Sequence, residues 1–173
     1  TINSNAYTLL SSASQLSSVA SSGYYALAVD LDAASLGTLT SSLIASSAAF
    51  NGTLNGLGHT IANLTINNPS SEYAGLFGQV GSSGVLENIS LTNANVTADV
   101  TNGNSLYIGL LIGGNSGTIT NTYVQGSLSV KINNSSSLYE GGLIGSNSGN
   151  INSSSADLDL SSSAGSVSQN ISI

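Results

Sequence analysis

The sequence has 173 residues, with one Lys, no Arg, no Cys and eight Asp or Glu, and its formal net charge is −7. So little positive charge excludes a nucleic-acid-binding or polybasic membrane-binding protein, and the lack of Cys excludes a disulfide framework and a zinc–thiolate site. No apolar run reaches the roughly 18 residues of a transmembrane helix, whereas the 40% of hydrophobic residues suits one domain with an aliphatic core.

The first predicted element is a short helix over residues 11–21. Leu9, Leu16 and Val19 recur at helical spacing, and Gly23 follows where glycine often ends a helix. We therefore expect an N-terminal cap that contains this helix, followed by the main domain. The predicted boundaries are 1–23 for the cap and 24–173 for the main domain.

From Tyr24 onward, apolar side chains alternate with small or polar ones, which is typical of strands with one buried face. The predicted strands are 25–32, 61–66, 85–91, 95–101, 118–124, 128–132 and 157–160. Asn-Gly, Ser-Gly and Gly-Gly pairs lie between them and predict turns. We therefore expect an all-β protein with almost no helix.

Three segments that begin with Tyr73, Tyr107 and Tyr139 share one pattern, in which a Tyr precedes a Gly-rich apolar run and a turn. The glycines that close these runs are 35 and 32 residues apart. A unit of this length holds about three short strands and cannot bury its apolar face alone, so each unit must stack on its neighbours. The predicted repeats are 73–106, 107–138 and 139–166.

This repeat predicts a parallel β-solenoid, in which each coil lays Leu, Ile and Val above those of the next coil. In such a fold the three repeat tyrosines form a stacked column at one corner, and inward Asn side chains form hydrogen-bonded ladders at the turns. A β-sandwich is the rival all-β architecture. It is disfavoured because a sandwich needs no glycine-marked repeat at near-constant spacing.

The residues that define the repeat are Gly75, Leu76, Phe77 and Gly78, then Leu111, Ile112 and Gly113, then Gly142, Leu143, Ile144 and Gly145. The first and last runs look like the GLUG motif of large secreted bacterial proteins, which include haemagglutinin-like adhesins and streptococcal immunoglobulin-A-cleaving proteases. The middle run departs from the motif, because Leu110 replaces its first glycine. Upstream, residues 23–32 and 50–61 resemble segments of the same proteins, with Asn55 where Asp is usual.

Together these similar segments span residues 1–150 of the chain. The resemblance implies a right-handed parallel β-helix that lies outside the cell. It implies no catalytic residues, because protease activity in such proteins belongs to a separate metal-binding domain, and the sequence here contains no H-E-x-x-H.

Two pairs of aspartates are the candidate metal ligands. Asp30 and Asp32, like Asp157 and Asp159, lie two residues apart in predicted strands, so each pair projects from one face. Carboxylate oxygens suit Ca²⁺, and paired carboxylates also catalyse glycoside hydrolysis. We favour an outward polar face instead, with apolar neighbours such as Val29 directed inward.

His59 is the sole histidine and lies in a Gly-rich turn before a predicted strand. A general base needs a partner that orients it, and no acidic residue is close to His59 in the sequence. We therefore expect a structural hydrogen bond across the turn. One His and one Lys, Lys131, supply little of what a polysaccharide lyase needs, so we predict neither an enzyme nor a cofactor.

Eight Asn-x-Ser/Thr sequons are candidate sites of N-glycosylation. They begin at Asn51, Asn63, Asn88, Asn95, Asn133, Asn134, Asn152 and Asn170. With 20 Asn, and with Ser or Thr at 49 of 173 positions, chance alone predicts between five and six sequons. The excess is therefore small.

Two rows of side chains suggest other ligands. Thr118, Thr120 and Thr122 alternate on one predicted strand, as on ice-binding solenoids, but the next repeat carries Asn and Ser at the matching positions. The tyrosines suit stacking on sugars, which leaves a carbohydrate-binding module open.

The function that we favour from the sequence is an extracellular structural or adhesive solenoid. The end coil of a solenoid exposes backbone groups that pair with another chain, and few charges keep copies apart. We expect a self-assembling subunit of a surface filament or matrix fibre. The alternative is a module of a large secreted adhesin that binds host or cell-surface glycans; a polysaccharide-acting enzyme and an ice-binding protein are less favoured.

Overall fold

The computed structural model describes residues 2, 4–67, 72–100, 105–132, 137–164 and 169–172. This part of the chain is all-β and forms a β-solenoid of about four turns. Each pair of neighbouring strands within it is parallel, because every coil lies on the coil before it. The predicted β-solenoid is confirmed, and the β-sandwich alternative, whose sheets are antiparallel, is wrong.

The elements are short, and most strands have two to four residues. The first half of the chain contains β1 (Thr8–Leu10), α1 (Ala13–Leu16), β2 (Tyr24–Leu27), β3 (Leu31–Asp32), a 3₁₀ helix (Ala33–Leu36), β4 (Thr38–Leu39), β5 (Thr53–Asn55), β6 (Thr60–Ala62), β7 (Thr65–Asn67), β8 (Tyr73–Ala74) and β9 (Phe77–Val80). The second half contains β10 (Val85–Glu87), β11 (Ser90–Val100), β12 (Leu106–Gly109), β13 (Ile112–Asn115), β14 (Thr118–Thr120), β15 (Tyr123–Ile132), β16 (Leu138–Gly141), β17 (Ile144–Asn147), β18 (Asn150–Asn152), β19 (Ser155–Ala164) and β20 (Gln169–Ser172).

Strands of successive coils form four ladders. Ladder A has the order β1-β2-β5-β10-β14-β18, and ladder B has the order β3-β6-β11-β15-β19, with β4 and β7 joined to it at β11. Ladder C has the order β8-β12-β16-β20, and ladder D has the order β9-β13-β17. One complete coil passes through β10, β11, β12 and β13 and returns to ladder A at β14, one level further along the solenoid axis.

Inward side chains of successive coils lie above one another. In ladder A, Leu54, Leu86 and Ile119 share one column, and none of the three is exposed. Ladder D places Phe77 on Ile112 in the same way. Burying one such side chain contributes about 1.5–3 kcal/mol. The core is therefore a set of aliphatic columns that run along the solenoid axis.

The predicted strands run across a corner that the structure places between ladders A and B. At this corner Asn88, Asn121 and Ser153 have φ values of 56°, 50° and 49°, in the left-handed region that Asn tolerates better than most residues. The strands predicted over 85–91 and 118–124 are therefore each two strands in different ladders. The alternation of inward and outward side chains resumes after the corner with a shift of one position, since Leu86 and Ile89 are both buried. This shift is the signal in the sequence that marks the change in direction.

Of the five other predicted strands, two are broken in the structure and three belong to longer single strands. The strand predicted over 61–66 is broken at Asn63, and the one over 25–32 is broken at residues 28–30, where Val29 is 43% exposed instead of buried. The segment predicted over 95–101 belongs to β11, and its last residue lies outside the described residues. The segments predicted over 128–132 and 157–160 lie within β15 and β19.

The N-terminal helix is shorter than predicted. The sequence predicts a helix over 11–21, whereas α1 is one turn, which ends where Ser17 and Ser18 follow. Ser is a mediocre helix former, so the apolar spacing alone does not extend the helix. Because β1 pairs with β2, ladder A begins upstream of residue 24, and α1 lies between two of its strands. A capping role for α1 remains a prediction.

The repeat-defining runs form the corner between ladders C and D, and they themselves contain strands. Phe77 and Gly78 open β9, and Ile144 and Gly145 open β17. A Cβ added to Gly113 would lie 2.8 Å from the backbone nitrogen of Ala74. The glycine is therefore needed because two sheets approach each other too closely there for a side chain.

The repeat tyrosines form the predicted column. The rings of Tyr73 and Tyr107 stack with centroids 5.0 Å apart at 12°, and those of Tyr107 and Tyr139 stack at 4.6 Å and 9°. Strand pairing places the three residues in one register. The prediction that these tyrosines form a structural column at one corner is confirmed.

Ile119→Ala should lower the free energy of unfolding by about 2–5 kcal/mol, because it leaves a cavity in a fully buried column. Ile151→Ala is the matched control, since Ile151 is the register partner of Ile119 in the next coil but is 40% exposed. The control should cost about 1 kcal/mol or less. Urea denaturation at low protein concentration measures both, and equal losses would contradict the stacked core.

Candidate functional site

The last described coil leaves its inward columns open. Ile151 continues the column of Ile119 but is 40% exposed, and Leu160 continues the column of Leu128 but is 37% exposed. Both Ile119 and Leu128 are completely buried. Ile151 and Leu160 are thus partly exposed where their register partners are buried, and we call these two residues the open-end surface.

The strands that carry this surface are also edge strands. Within the described ranges, β18 pairs only with β14, and β19 pairs only with β15. Asp157 and Asp159 project from β19, in register with Gln125 and Ser127, and both carboxylates are exposed. Backbone groups on such an edge accept an added strand, while the apolar columns beside them gain from being covered.

Hydrogen-bonded Asn ladders bind successive coils together at two corners. The amide nitrogen of Asn88 donates to Oδ1 of Asn55 at 3.1 Å, and that of Asn121 donates to Oδ1 of Asn88 at 2.7 Å. At the corner between ladders D and A, the amide nitrogen of Asn115 donates to Oδ1 of Asn147 at 2.7 Å. Asn ladders are therefore present at the turns as predicted, but only Asn55 and Asn115 are buried, whereas Asn121 and Asn147 are exposed.

His59 has an acidic partner that the sequence analysis missed. Its Nδ1 lies 3.3 Å from Oδ1 of Asp30, and the same oxygen accepts a hydrogen bond from the backbone nitrogen of Thr60 at 2.9 Å. The bond from Thr60 and then the contact with His59 hold the pKa of Asp30 below its usual value. The partner is 29 residues away, one coil earlier, which is why proximity in the sequence does not reveal it.

Asp32 has a different role from Asp30. Its Oδ1 accepts from the amide nitrogen of Asn63 at 2.9 Å and from the backbone nitrogen of Ala34 at 3.0 Å. These two bonds lower the pKa of Asp32. Asn63 in turn accepts from Asn93 at 2.7 Å, so Asp32 begins a polar ladder between coils.

The acidic pairs do not come together. Asp30 and Asp32 belong to the first coil of ladder B, whereas Asp157 and Asp159 belong to its last described coil. Among the residues with described positions, no group of three His, Asp or Glu side chains could hold a metal ion. None of the helices in the described ranges is long and apolar enough to cross a membrane.

The sequons fall into distinct environments. The amide nitrogens of Asn63 and Asn88, which a glycan would occupy, donate within the corner ladders. The remaining described sequon asparagines have exposed side chains: Asn51, Asn95 and Asn152. Asn133 and Asn134 lie outside the described residues, and Asn170 lies in β20 without a described side chain.

The threonine row is not repeated from coil to coil. Its register partners are Val85 and Glu87 in the coil before and, as predicted, Asn150 and Asn152 in the coil after. Thr122 is 2% exposed and its hydroxyl donates to the carbonyl of Thr120 at 3.2 Å. The flat face that ice binding needs is therefore one coil deep.

A buried acid also escaped the sequence analysis. Glu140 is 1% exposed and lies in register between Ile108 and Ile171 in ladder C. Strand alternation is the signal that finds it, because Leu138 and Glu140 flank the half-exposed Tyr139 and share the opposite, inward face.

Comparison with known proteins gives two partial similarities. A stretch of 79 residues, 46% of this chain, is 44% identical to part of Halomucin from Haloquadratum walsbyi and spans 1% of that protein. A stretch of 76 residues, 44% of this chain, is 38% identical to part of a Putative Gly-rich membrane protein from Evansella cellulosilytica and spans 8% of it. No family model matches the chain, and no solved structure matches it.

Asn88→Gly should lower the free energy of unfolding by about 1–3 kcal/mol, because Gly keeps the left-handed backbone but removes two ladder hydrogen bonds. Ser153→Gly is the matched control, at the same corner with φ 49°. It should leave stability unchanged or raise it slightly, since Gly relieves strain there. Chemical denaturation measures the free energy of unfolding of both variants. If Asn88→Gly is as stable as Ser153→Gly, the ladder contributes nothing to stability.

Stability should decline only gently in acid. The pKa values of Asp30 and Asp32 are lowered in the folded chain, so their stabilising effect is complete above the unfolded pKa of about 3.9 and is lost as pH falls through the folded values. The double variant Asp30→Asn/Asp32→Asn should show a shallower decline than the parent below about pH 4. Thermal unfolding from pH 7 to pH 2 measures this, and identical slopes would contradict the assignment.

Proposed function

We propose that this chain works outside the cell as a structural and adhesive β-solenoid that associates with further copies of itself through its open end. The observation that carries the proposal is the open-end surface, where the columns of the completely buried Ile119 and Leu128 continue to the exposed Ile151 and Leu160 of the last described coil. A further coil laid on this end buries both side chains and pairs the backbone edge of β18 and β19.

An added coil is the natural occupant because the end coil is built like the interior ones. β18 lies on β14 in the register with which β14 lies on β10. A solenoid is a one-dimensional array whose stability is the sum of coils and the contacts between them. Covering the open end therefore adds one more contact of the kind that already stabilises the fold.

The similarities to Halomucin and to a protein named as a membrane protein support a place at the cell surface. The chain spans a small fraction of both proteins, which also supports the alternative that it is one module of a large surface protein. The proposal includes membership of the GLUG-like runs in that motif and the right-handed winding that this implies. It also includes the absence of catalysis, because Asp30 and His59 form an exposed pair that is joined to the backbone and not to a nucleophile.

Self-association should increase with protein concentration and with salt. Salt screens the repulsion between copies that each carry a charge of −7, while the apolar contact remains. Ile151→Ser/Leu160→Ser should remain monomeric under conditions in which the parent assembles. Light scattering across a concentration series, at about 10 mM and about 500 mM NaCl, measures the mass, and electron microscopy shows the shape.

Leu57→Ser is the control, because Leu57 is a 47% exposed apolar residue of an interior coil, away from the open-end surface. It should assemble as the parent does. A parent that stays monomeric at every concentration and salt would overturn self-association and favour the module of a larger protein. Assembly that the double variant retains would place the contact elsewhere.

A further inference from the structure

A shallow groove crosses four coils on the side of the solenoid, at the corner between ladders A and B. Its volume is about 500 Å³, within the range of small-ligand sites. Leu57 forms the wall at one end, and Asn88 and Ser90 of the next coil line the floor. Tyr123 lies one coil further along, and Ser153 and Ser155 of the last described coil line the far end. Ile151 and Leu160 of the open-end surface do not line the groove.

The wall at Leu57 exists because one coil has a longer corner than the others. In the later coils two residues join the ladder A strand to the ladder B strand, whereas residues 56–59 join β5 to β6. Leu57 and Gly58 project in a left-handed conformation, with φ 53° and 84°. A Cβ added to Gly56 would overlap the carbonyl of Asn88, so glycine lets this loop lie against the next coil.

Tyr123 is a single aromatic residue in a column of small hydroxyl residues. Strand pairing places Thr60, Ser90 and Ser155 in the register of Tyr123. Tyr123 is 41% exposed and therefore stands above its smaller neighbours. Leu57 and Tyr123 belong to coils two levels apart, which separates these two residues by roughly 10 Å.

The polar groups of the groove are neutral and accessible. The hydroxyls of Tyr123, Ser90 and Ser155 form no side-chain hydrogen bond within the described part of the chain. Oδ1 of Asn121 also accepts no hydrogen bond from the described residues, because only the amide nitrogen of Asn121 takes part in the corner ladder. The site therefore offers hydroxyls that donate and accept, one amide acceptor, and an exposed ring face.

We propose that this groove binds a neutral oligosaccharide, with the ring of Tyr123 packed on the apolar face of one pyranose unit and Ser90, Ser155 and Asn121 bonded to its hydroxyls. A pyranose matches the lining because it too combines an apolar face with a rim of hydroxyls. No charged residue lines the groove, and the net charge of −7 repels anionic sugars. The ligand class is therefore neutral sugars and not uronates.

The test is titration of the ¹⁵N-labelled protein with cellohexaose, chitohexaose and mannohexaose, with hexagalacturonate as the charged comparison, followed by NMR. A neutral hexasaccharide should shift amide signals of the groove residues with a dissociation constant on the order of 1 mM, typical of a shallow site. Hexagalacturonate should leave these signals in place. The titration is run at a concentration where the protein is monomeric, so its result does not depend on self-association.

Tyr123→Ser introduces at position 123 the same residue type as its register neighbours Ser90 and Ser155, so the variant should fold normally. Its affinity for the sugar should be weaker by about tenfold or more. Tyr24→Ser is the matched control, because Tyr24 is also 41% exposed but lies outside the groove. It should bind as the parent does. Absence of groove shifts at about 10 mM of each neutral sugar, or unchanged binding by Tyr123→Ser, would overturn the proposal.

Discussion

Parallel pairing between successive coils is the interaction on which the rest of this structure depends. It places each residue directly above its equivalent, so that Leu86 lies between Leu54 and Ile119 and Tyr107 lies between Tyr73 and Tyr139. One register therefore creates the apolar columns, the stacked tyrosines and the Asn ladders together. A slip by one residue would exchange the inward and outward sets and remove all three.

The same register accounts for both surfaces that we propose to be functional. Stacking buries a column fully only where a coil lies on each side of it, so Ile151 and Leu160 of the last described coil are partly exposed. The outward positions are free of this constraint. One lengthened corner at Leu57 and one aromatic residue at Tyr123 are therefore enough to turn a uniform lateral face into a groove, without any change in the core.

Charge has a small part in the stability of this protein. Eight acidic residues and one Lys leave amides, hydroxyls and aliphatic side chains to hold the coils together. Where carboxylates do act, at Asp30 and Asp32, they accept hydrogen bonds from the next coil and begin a polar ladder. The corners are thus joined mainly by neutral hydrogen bonds, which neither pH nor salt affects strongly.

The repeat of Tyr and Gly, the alternation of apolar residues and the scarcity of charge determined the class of fold, because a unit of about 33 residues that cannot bury its own face must stack. They also determined the tyrosine column and the corner ladders. Only the tertiary structure decided where each strand turns, since one left-handed Asn redirects the chain and shifts the alternation around it by only one position. It alone paired His59 with Asp30, turned Glu140 inward and set Tyr123 opposite Leu57. These contacts join residues about one or two coils apart, and the register that brings them together forms only when the coils stack.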